Sequence, residues 1–554
     1  MKWNKKLTSN FIGSLMGLSM GFVSTAHGAN LSLETSPLFL SNQADPNVFF
    51  EIDDSGSMDW EILAKRHNSP VFGGAILNNG LMYEGGTTYQ IYLYNNADHP
   101  YGINAGYIPA DWRARCSCLN VLAYDPTVVY NPWPGYPNAV ITAARSDPQT
   151  GKAGYTITRD LTGDTFFTNW VDTDLDGLVD TTDGNTSIAV NTLTVSEQTN
   201  YANWYQYYRK RSFVAKSAVA DVITTNPGFR YGLSVINNWG SLFIEVPSSG
   251  VTNYATHNLS VINGINDLVW PTSGTPLRTA LERTGDYFDD NLSGKADPII
   301  SECQKNFSIL FTDGYWNGGN PSVGNADGDA HSNTLADVAR AYYDTDLSPL
   351  ADNVPPDTFD TNARQHMVTF TVAFGINGLL TDTDADGWPD PVLAESGNWG
   401  NAFNSDPEKV DDLWHAAFNA KGTFIAAQTP QDVADSLNAA LANISARTSS
   451  AASVALNAGS IGANSRVYQA KFDTDAWSGQ VLSFTVNTAG VVSTTPNWDA
   501  GCKMNGGLCP TTGSTEIGQH WDTGRNIITY KPSNGDGSSV RLTAIPARPY
   551  TLNT

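Results

Sequence analysis

An α/β fold built on a mostly parallel sheet is what this sequence predicts, and three observations carry the prediction. Residues 47–52, 229–236, 307–312 and 367–374 are short apolar runs with little polar alternation, the pattern of strands covered on both faces. Segments of helical period separate and follow them, so strand and helix alternate as in βα units. Two of the runs end directly in an aspartate, Asp53 and Asp313, at the carboxyl ends of strands where open sheets of this kind gather ligands.

The elements follow in order. Met1-Lys2-Trp3-Asn4-Lys5-Lys6 is a basic lead, 7–23 an apolar stretch, and 24–29 a run of small residues, which reads as a secretory signal over 1–29. The apolar stretch is interrupted by Ser, Asn, Thr and Gly, whereas a membrane span needs about 20 clean apolar residues. No later run is comparable, so no transmembrane segment is expected in the mature chain. The first strand, 47–52, is followed by residues 61–195, rich in Gly, Pro, Asn, Tyr and Trp, read as a large insertion before the first helix. That helix is placed at 201–225, with aromatic and aliphatic residues on one side and Arg209, Lys210 and Arg211 on the other. Strands at 229–236 and 242–246 precede a helix at 275–287 that opens on Thr-Pro, a position proline tolerates well. A strand at 307–312, a helix at 332–343 and a strand at 367–374 lead to a smaller insertion at 376–405. A helix at 411–419, a strand at 424–427 and a helix at 430–444 complete an α/β domain spanning 30–448, the last helix aligning Val433, Leu437, Leu441 and Ile444 on one face. An Ala/Ser-rich linker covers 449–459. Within 460–554, segments such as 466–472 alternate apolar and polar residues like half-exposed strands and suggest the opening of a β domain, so the chain is expected to be a piece of a longer protein.

The 554 residues suit about three or four domains. With 55 Asp+Glu against 31 Lys+Arg, the formal charge is −24, which disfavours nonspecific contact with nucleic acid. A hydrophobic share of 41% with 15 Trp, 23 Tyr and 22 Phe supplies ample core and argues against global disorder. Five cysteines in an exported chain point to disulfides. Cys502 and Cys509 frame a small loop and are expected to pair; Cys116 and Cys118, adjacent but one, rarely bond each other, so a link from one of them to Cys303 is expected, with one thiol left over. The eight histidines show no paired metal spacing and read as surface or packed residues. Neither a Gly-x-Ser-x-Gly elbow nor a Walker-type loop is present, so no enzymatic activity is expected.

Three clusters of acids carry chemistry. Asp53-Asp54-Ser55-Gly56-Ser57 has the pattern Asp-x-Ser-x-Ser, and one carboxylate with two hydroxyls can converge as oxygen ligands on a hard divalent cation. Thr275, in Ser273-Gly274-Thr275-Pro276, and Asp313, in Phe311-Thr312-Asp313-Gly314, are candidates to complete the set from later loops. The second cluster places Asp172, Asp174, Asp176, Asp180 and Asp183 at positions 1, 3, 5, 9 and 12 of a loop with Gly177 at position 6. That is the ligand order of an EF-hand-type Ca²⁺ loop, with Leu178 supplying a backbone carbonyl. In the third, Asp382, Asp384, Asp386 and Asp390 repeat the spacing, but position 12 is Leu393; Ca²⁺ is expected here too.

The first cluster resembles the metal-ion-dependent adhesion site of von Willebrand factor A domains. That resemblance implies that Asp53, Ser55, Ser57, Thr275 and Asp313 hold Mg²⁺ or Mn²⁺, directly or through water, with an open position for a ligand carboxylate. It differs in that the 61–195 insertion separates the first loop from the first helix. Further phrases narrow the likeness: Ala123-Tyr124-Asp125-Pro126, Asn203-Trp204-Tyr205-Gln206-Tyr207-Tyr208-Arg209-Lys210-Arg211, Cys303-Gln304-Lys305-Asn306-Phe307 leading to Thr312-Asp313-Gly314-Tyr315-Trp316, and Val467-Tyr468-Gln469-Ala470 with Trp477-Ser478-Gly479. Together they are similar to the PilY-type proteins of type IV pili over about residues 40 to 554. The resemblance implies export by a Gram-negative bacterium to the pilus tip, outer surface or medium. It also implies minor pilins as partners, adhesion to host-cell or abiotic surfaces, and a Ca²⁺-binding β-propeller following the α/β half. The competing expectation is a secreted A-domain scaffold or ligand-binding protein unrelated to pili.

Overall fold

A computed structural model describes residues 44–64, 82–84, 88–95, 112–148, 157–175, 183–268 and 273–449, apart from 358, 384–386, 391–392 and 395–396, together with strand segments between 454 and 540. The signal segment, Cys502 and Cys509 lie outside the described residues.

Six strands form the central sheet: β1 (Asn47–Ile52), β2 (Arg230–Val235), β3 (Phe243–Ile244), β4 (Asn306–Thr312), β5 (Met367–Phe374) and β6 (Lys421–Ala427). Their order is β6-β5-β4-β1-β2-β3, parallel throughout except for β3, which runs antiparallel on the edge. Every residue of β1, β2, β4 and β5 is buried, which explains why these strands read as unbroken apolar runs. Successive side chains point to opposite faces, so Val48, Phe50 and Ile52 join one core and Phe49 the other.

Seven α-helices occur among the described residues: α1 (Val195–Tyr207), α2 (Arg211–Thr225), α3 (Ala255–Asp267), α4 (Leu277–Phe288), α5 (Leu335–Asp344), α6 (Asp406–Asn419) and α7 (Pro430–Ser449). Val219, Ile223, Val261, Ile265, Leu437 and Leu441 bring α2, α3 and α7 onto the first face. Leu281, Val338 and Leu413 bring α4, α5 and α6 onto the second. At β2, any Cβ on Gly232 would collide with the Phe49 ring, so glycine is what lets this aromatic cross the sheet surface. The start of α5 is held twice. Thr334 and Asp337 form a reciprocal capping box, and the Asp412 carboxylate of α6 accepts from Leu335 N (2.9 Å) and Ala336 N (3.0 Å).

One expected element is divided. The helix placed at 201–225 is two helices, broken at Tyr208–Lys210. The break turns Arg209, Lys210 and Arg211 inward, and all three are buried rather than lining an exposed side. Each meets an acid: Arg209 pairs with Glu61 (2.7 Å), Lys210 with Asp59 (2.7 Å) and Arg211 with Asp313 (2.9 Å). Three local charges on three distant carboxylates cannot all be reached from one straight helix face. Helix α3 was not expected; its Asn, His and Gly content hides the Val261, Ile262, Ile265 stripe that packs inward.

The segment between β1 and α2 has its own aromatic core. Tyr94, Tyr124, Trp133, Phe166, Tyr201, Trp204, Tyr205 and Tyr207 cluster together, with Tyr124 in edge-to-face contact with Phe166 and Tyr201. A hairpin of Thr165–Val171 and Gly184–Ala189 flanks the second acidic cluster. The cysteines differ from expectation: Cys116 and Cys118 bond each other, with a Cα–Cα distance of 5.0 Å. Turns closed by Leu119 N and Asn120 N on Cys116 O (3.0 and 2.8 Å) fold the chain enough for the short loop to close. Cys303 stands apart, its Sγ 3.3 Å from Ser301 Oγ. After α7, Val454–Leu456, Arg466–Asp473, Ser478–Thr485 and Trp498–Asp499 form an antiparallel sheet; its first strand falls inside the span read as linker.

Candidate metal centre at the sheet edge

The strand order reverses between β1 and β4, since the chain proceeds from β1 to β2 on one side and from β4 to β5 on the other. Such switch points open a crevice at the carboxyl ends of the strands. Asp53 and Asp313 leave β1 and β4 there, and Asp53 N still pairs with Phe311 O at 2.9 Å. The loop after β1 then curls on itself, Ser55 N donating to Asp53 Oδ1 at 2.7 Å. This brings Ser55 Oγ and Ser57 Oγ to 3.1 Å and lets Ser57 Oγ donate to Asp313 Oδ1 at 2.9 Å. Thr312 Oγ1 donates to the other oxygen of Asp53 at 2.6 Å.

Thr275 arrives from the loop before α4. Gly56 N donates to Ser273 O (3.0 Å), and Thr275 N and O are both bonded by Asn317, at 3.0 and 2.9 Å. A Cβ on Gly314 would lie 3.6 Å from Ser57 Oγ and 3.7 Å from Thr275 Oγ1, so glycine leaves open the space that both hydroxyls face. Ser57, Thr275 and Asp313 line a cleft of about 230 Å³, together with Trp60, Tyr315 and Asn317. Asp53 and Ser55 are buried. All five expected residues therefore come to one edge of the sheet.

The electrostatics are crowded. Burial, and then the neighbouring Asp313, push the Asp53 carboxyl well above the usual carboxylate range. Burial likewise raises Asp54, although Asn237 N, Asn238 N and Asn237 Nδ2 all donate to it. Arg211 supplies one positive charge on Asp313 Oδ2, and Ser57 takes the other oxygen. Carboxylate and hydroxyl oxygens with a glycine-bounded opening are a donor set that fits Mg²⁺ or Mn²⁺.

The two acidic loops lie elsewhere. One ligand atom from each of Asp172, Asp174 and Asp183 falls within 4.8 Å of the others, so the hairpin brings the two ends of that loop together. Asp176, Leu178 and Asp180 lie outside the described residues. In the third cluster, Asp382 Oδ2 accepts from Gly387 N at 2.9 Å and Asp390 Oδ2 from Thr383 N at 2.5 Å, which closes the loop; Asp384 and Asp386 lie outside the described residues.

Comparison with known proteins agrees with the likeness read from the phrases. The chain is 28% identical to the type IV pilus biogenesis factor PilY1 of Pseudomonas aeruginosa strain UCBPP-PA14, over 94% of this chain and 49% of that protein. It is 26% identical to PilY1 of strain PAK, over 87% and 46%. The chain is PilY-like. It spans about half the length of these relatives. No family profile matches it. Among solved structures, proximal thread matrix protein 1 of the mussel byssus aligns at TM-score 0.21 and 11% identity, over 42% of this chain and 41% of that one. The pilus adhesin SpaC of Lactobacillus rhamnosus GG aligns at TM-score 0.24 and 10% identity, over 50% and 33%. Neither likeness is close enough to carry an argument. Among the described residues no helix is long and apolar enough to cross a membrane.

Sequence reasoning missed Asp54, Asp59, Glu61 and Arg211. The first ties the loop after β1 to the end of β2, and the others carry the buried ion pairs beneath the site. Their signal was present as Arg209-Lys210-Arg211, but charged residues are so rarely buried that an exposed face was the natural reading.

Proposed function

We propose that this chain acts in type IV pilus assembly and adhesion. In this reading it is exported by a Gram-negative cell to the pilus tip or outer surface and engages minor pilins and a surface ligand. Its α/β unit is von Willebrand factor A-like, with Asp53, Ser55, Ser57, Thr275 and Asp313 holding Mg²⁺ or Mn²⁺. The bound cation would supply an open coordination position for a carboxylate of the ligand. The chain's own groups do the rest. Asn317 positions Thr275, Thr312 fixes Asp53, Ser57 links the two strand ends, and Arg211 steadies Asp313 through its second oxygen. Ca²⁺ in the loops 172–183 and 382–390 would brace the surrounding segments, and no catalytic step is assigned.

The observation that carries this reading is the convergence of five oxygen-bearing residues from three loops on the switch point of the sheet. The similarity to PilY1 supports the pilus role. In the test, Asp53→Ala is introduced into the full-length gene product. Surface pili are counted, and binding of minor pilins and of a coated surface is measured with Mg²⁺ and with chelator. Mg²⁺-dependent binding should be lost while the circular dichroism spectrum is retained. Unchanged binding with and without chelator would refute the adhesion site, and normal piliation and twitching in a deletion strain would refute the pilus role.

A further inference from the structure

A second cluster lies outside the sheet-edge site, between the loop that leads into α5 and the last turns of α6. The loop contributes Asp327 and Asp329, and α6 contributes His415. One ligand atom from each of the three falls within 4.8 Å of the others. The Asp327 side chain is fully buried and His415 is 3% exposed, with Nε2 and Asp327 Oδ2 3.4 Å apart. Two ligands bound at about 2.0–2.2 Å to one tetrahedral ion stand about 3.3–3.6 Å from each other. The imidazole does not wander: it stacks on Trp399 with ring centroids 4.6 Å apart and planes 6° from parallel.

An independent observation points to the same place. Asn419 is fully buried one turn beyond His415, and its Nδ2 is 2.8 Å from Asp327 Oδ2. Its carbonyl oxygen Oδ1 is buried without a hydrogen-bond partner among the described residues, a costly state for an amide. Rotating the amide by half a turn exchanges its nitrogen and oxygen and, besides the bond to Asp327, gives up only the longer one, at 3.4 Å, from Nδ2 to Ala336 O. The orphaned oxygen would then face the cluster at the distance that now separates nitrogen from carboxylate. A cation gives both oxygens a common partner. It would also offset the charge of Asp329 and Asp337, which both repel the Asp327 carboxylate.

We propose that Asp327, Asp329, His415 and Asn419 form a site for a divalent transition ion of the Zn²⁺ class, joining the loop before α5 to α6. One imidazole nitrogen with carboxylate and amide oxygens selects a borderline ion over Ca²⁺, which takes six to eight oxygens. The role is structural, since the site pins a loop and a helix that both belong to the half of the fold carrying Trp316 and Asp412. It does not depend on the adhesion reading.

The test uses the full chain, untagged, stripped with chelator and then saturated with Ca²⁺ and Mg²⁺ to fill the all-oxygen sites. Zn²⁺ alone is titrated by calorimetry, with bound metal counted by elemental analysis. One tight equivalent is expected in the unmodified chain and in Asp53→Ala. In His415→Gln and in Asp329→Asn the affinity should fall at least about tenfold. Asp329 is half-buried on a loop whereas His415 is buried in a helix, so the Asp329 variant reads the site even if His415→Gln does not fold. Absence of tight Zn²⁺ in the unmodified chain, or unchanged affinity in a folded variant of either residue, would overturn the proposal. Loss of the equivalent in Asp53→Ala alone would assign the ion to the sheet edge and equally overturn it.

Discussion

Arg211 Nη1 stands 2.9 Å from Asp313 Oδ2 with both side chains fully buried. The chain thus brings its own cation to the carboxylate that closes the sheet-edge site. The same guanidinium also donates to Ile62 O through Nε (3.2 Å) and Nη2 (2.8 Å), so it bridges β4 to the segment that follows β1. A fixed arginine neutralises part of the Asp53–Asp313 repulsion from the wall of the cleft, which it lines together with Ser57 and Thr275.

Removing that arginine should make the fold dependent on metal. Arg211→Met leaves a buried carboxylate unpaired, and the loss of one partner of such a pair costs about 3–5 kcal/mol. Thermal unfolding in chelator should show this loss, and saturating Mg²⁺ should restore more stability to the variant than it adds to the unmodified chain. An equal Mg²⁺ shift in both proteins would mean that the arginine and the cation do not share a carboxylate.

Glu61 and Arg209 tie distant parts of the aromatic segment to one another in the same manner. Glu61 Oε1 meets Arg209 Nε at 2.7 Å, Glu61 Oε2 accepts from Leu93 N and Tyr94 N, and Arg209 also donates to Tyr205 O and Ser146 O. Glu61→Ala should therefore cost about 3–5 kcal/mol. In a double-mutant cycle with Arg209→Met, the coupling should exceed about 1 kcal/mol. Additive effects of the two substitutions would show that the backbone contacts, not the ion pair, hold the segment.

How much of this was legible depends on the range over which the information is spread. The strands could be read because full burial makes each one apolar along its whole length; the observed β5 matches the span read from sequence, and β4 differs by one residue. Asp53, Ser55 and Ser57 were legible because their spacing is local, and Asp313 because it follows a buried strand. The ion pairs were not, because Arg209, Lys210 and Arg211 lie 148, 151 and 102 residues from their partners, and no local pattern joins the two. The Cys116–Cys118 bond was misjudged because it depends on a tight turn that spacing alone does not announce.

Asp360 makes the fold sensitive to acid. Burial alone would raise its carboxyl, but the hydrogen bond and charge of His366, with bonds from Asn362 N and Tyr343 Oη, outweigh that and lower it to about 2. The folded pKa lies below the unfolded value of about 3.9. The stabilisation is therefore present above pH 4 and is lost as pH falls toward 2, and it amounts to about 2–3 kcal/mol. Denaturant unfolding of Asp360→Asn should show a smaller loss of stability between pH 4 and 2 than the unmodified chain. Parallel pH profiles would reject the assignment.

The hairpin loop offers a calcium test with a built-in reporter. Trp170 Nε1 donates to Asp183 Oδ2 at 2.8 Å, and Thr173 N donates to the other oxygen of Asp183 at 3.1 Å. A cation drawn to Asp172, Asp174 and Asp183 would polarise the carboxylate on which the indole rests. Ca²⁺ added to the chelator-treated chain should therefore change tryptophan emission in a saturable way, and the change should be missing from Trp170→Phe. Asp174 is exposed and can be altered without disturbing a core. Asp174→Ala should retain the fold and weaken Ca²⁺ at least about tenfold, since affinity in such loops follows the number of charged ligands. A Ca²⁺ response equal in Asp174→Ala and the unmodified chain would place the calcium outside this hairpin, and the acidic spacing would then be no more than a solvated turn.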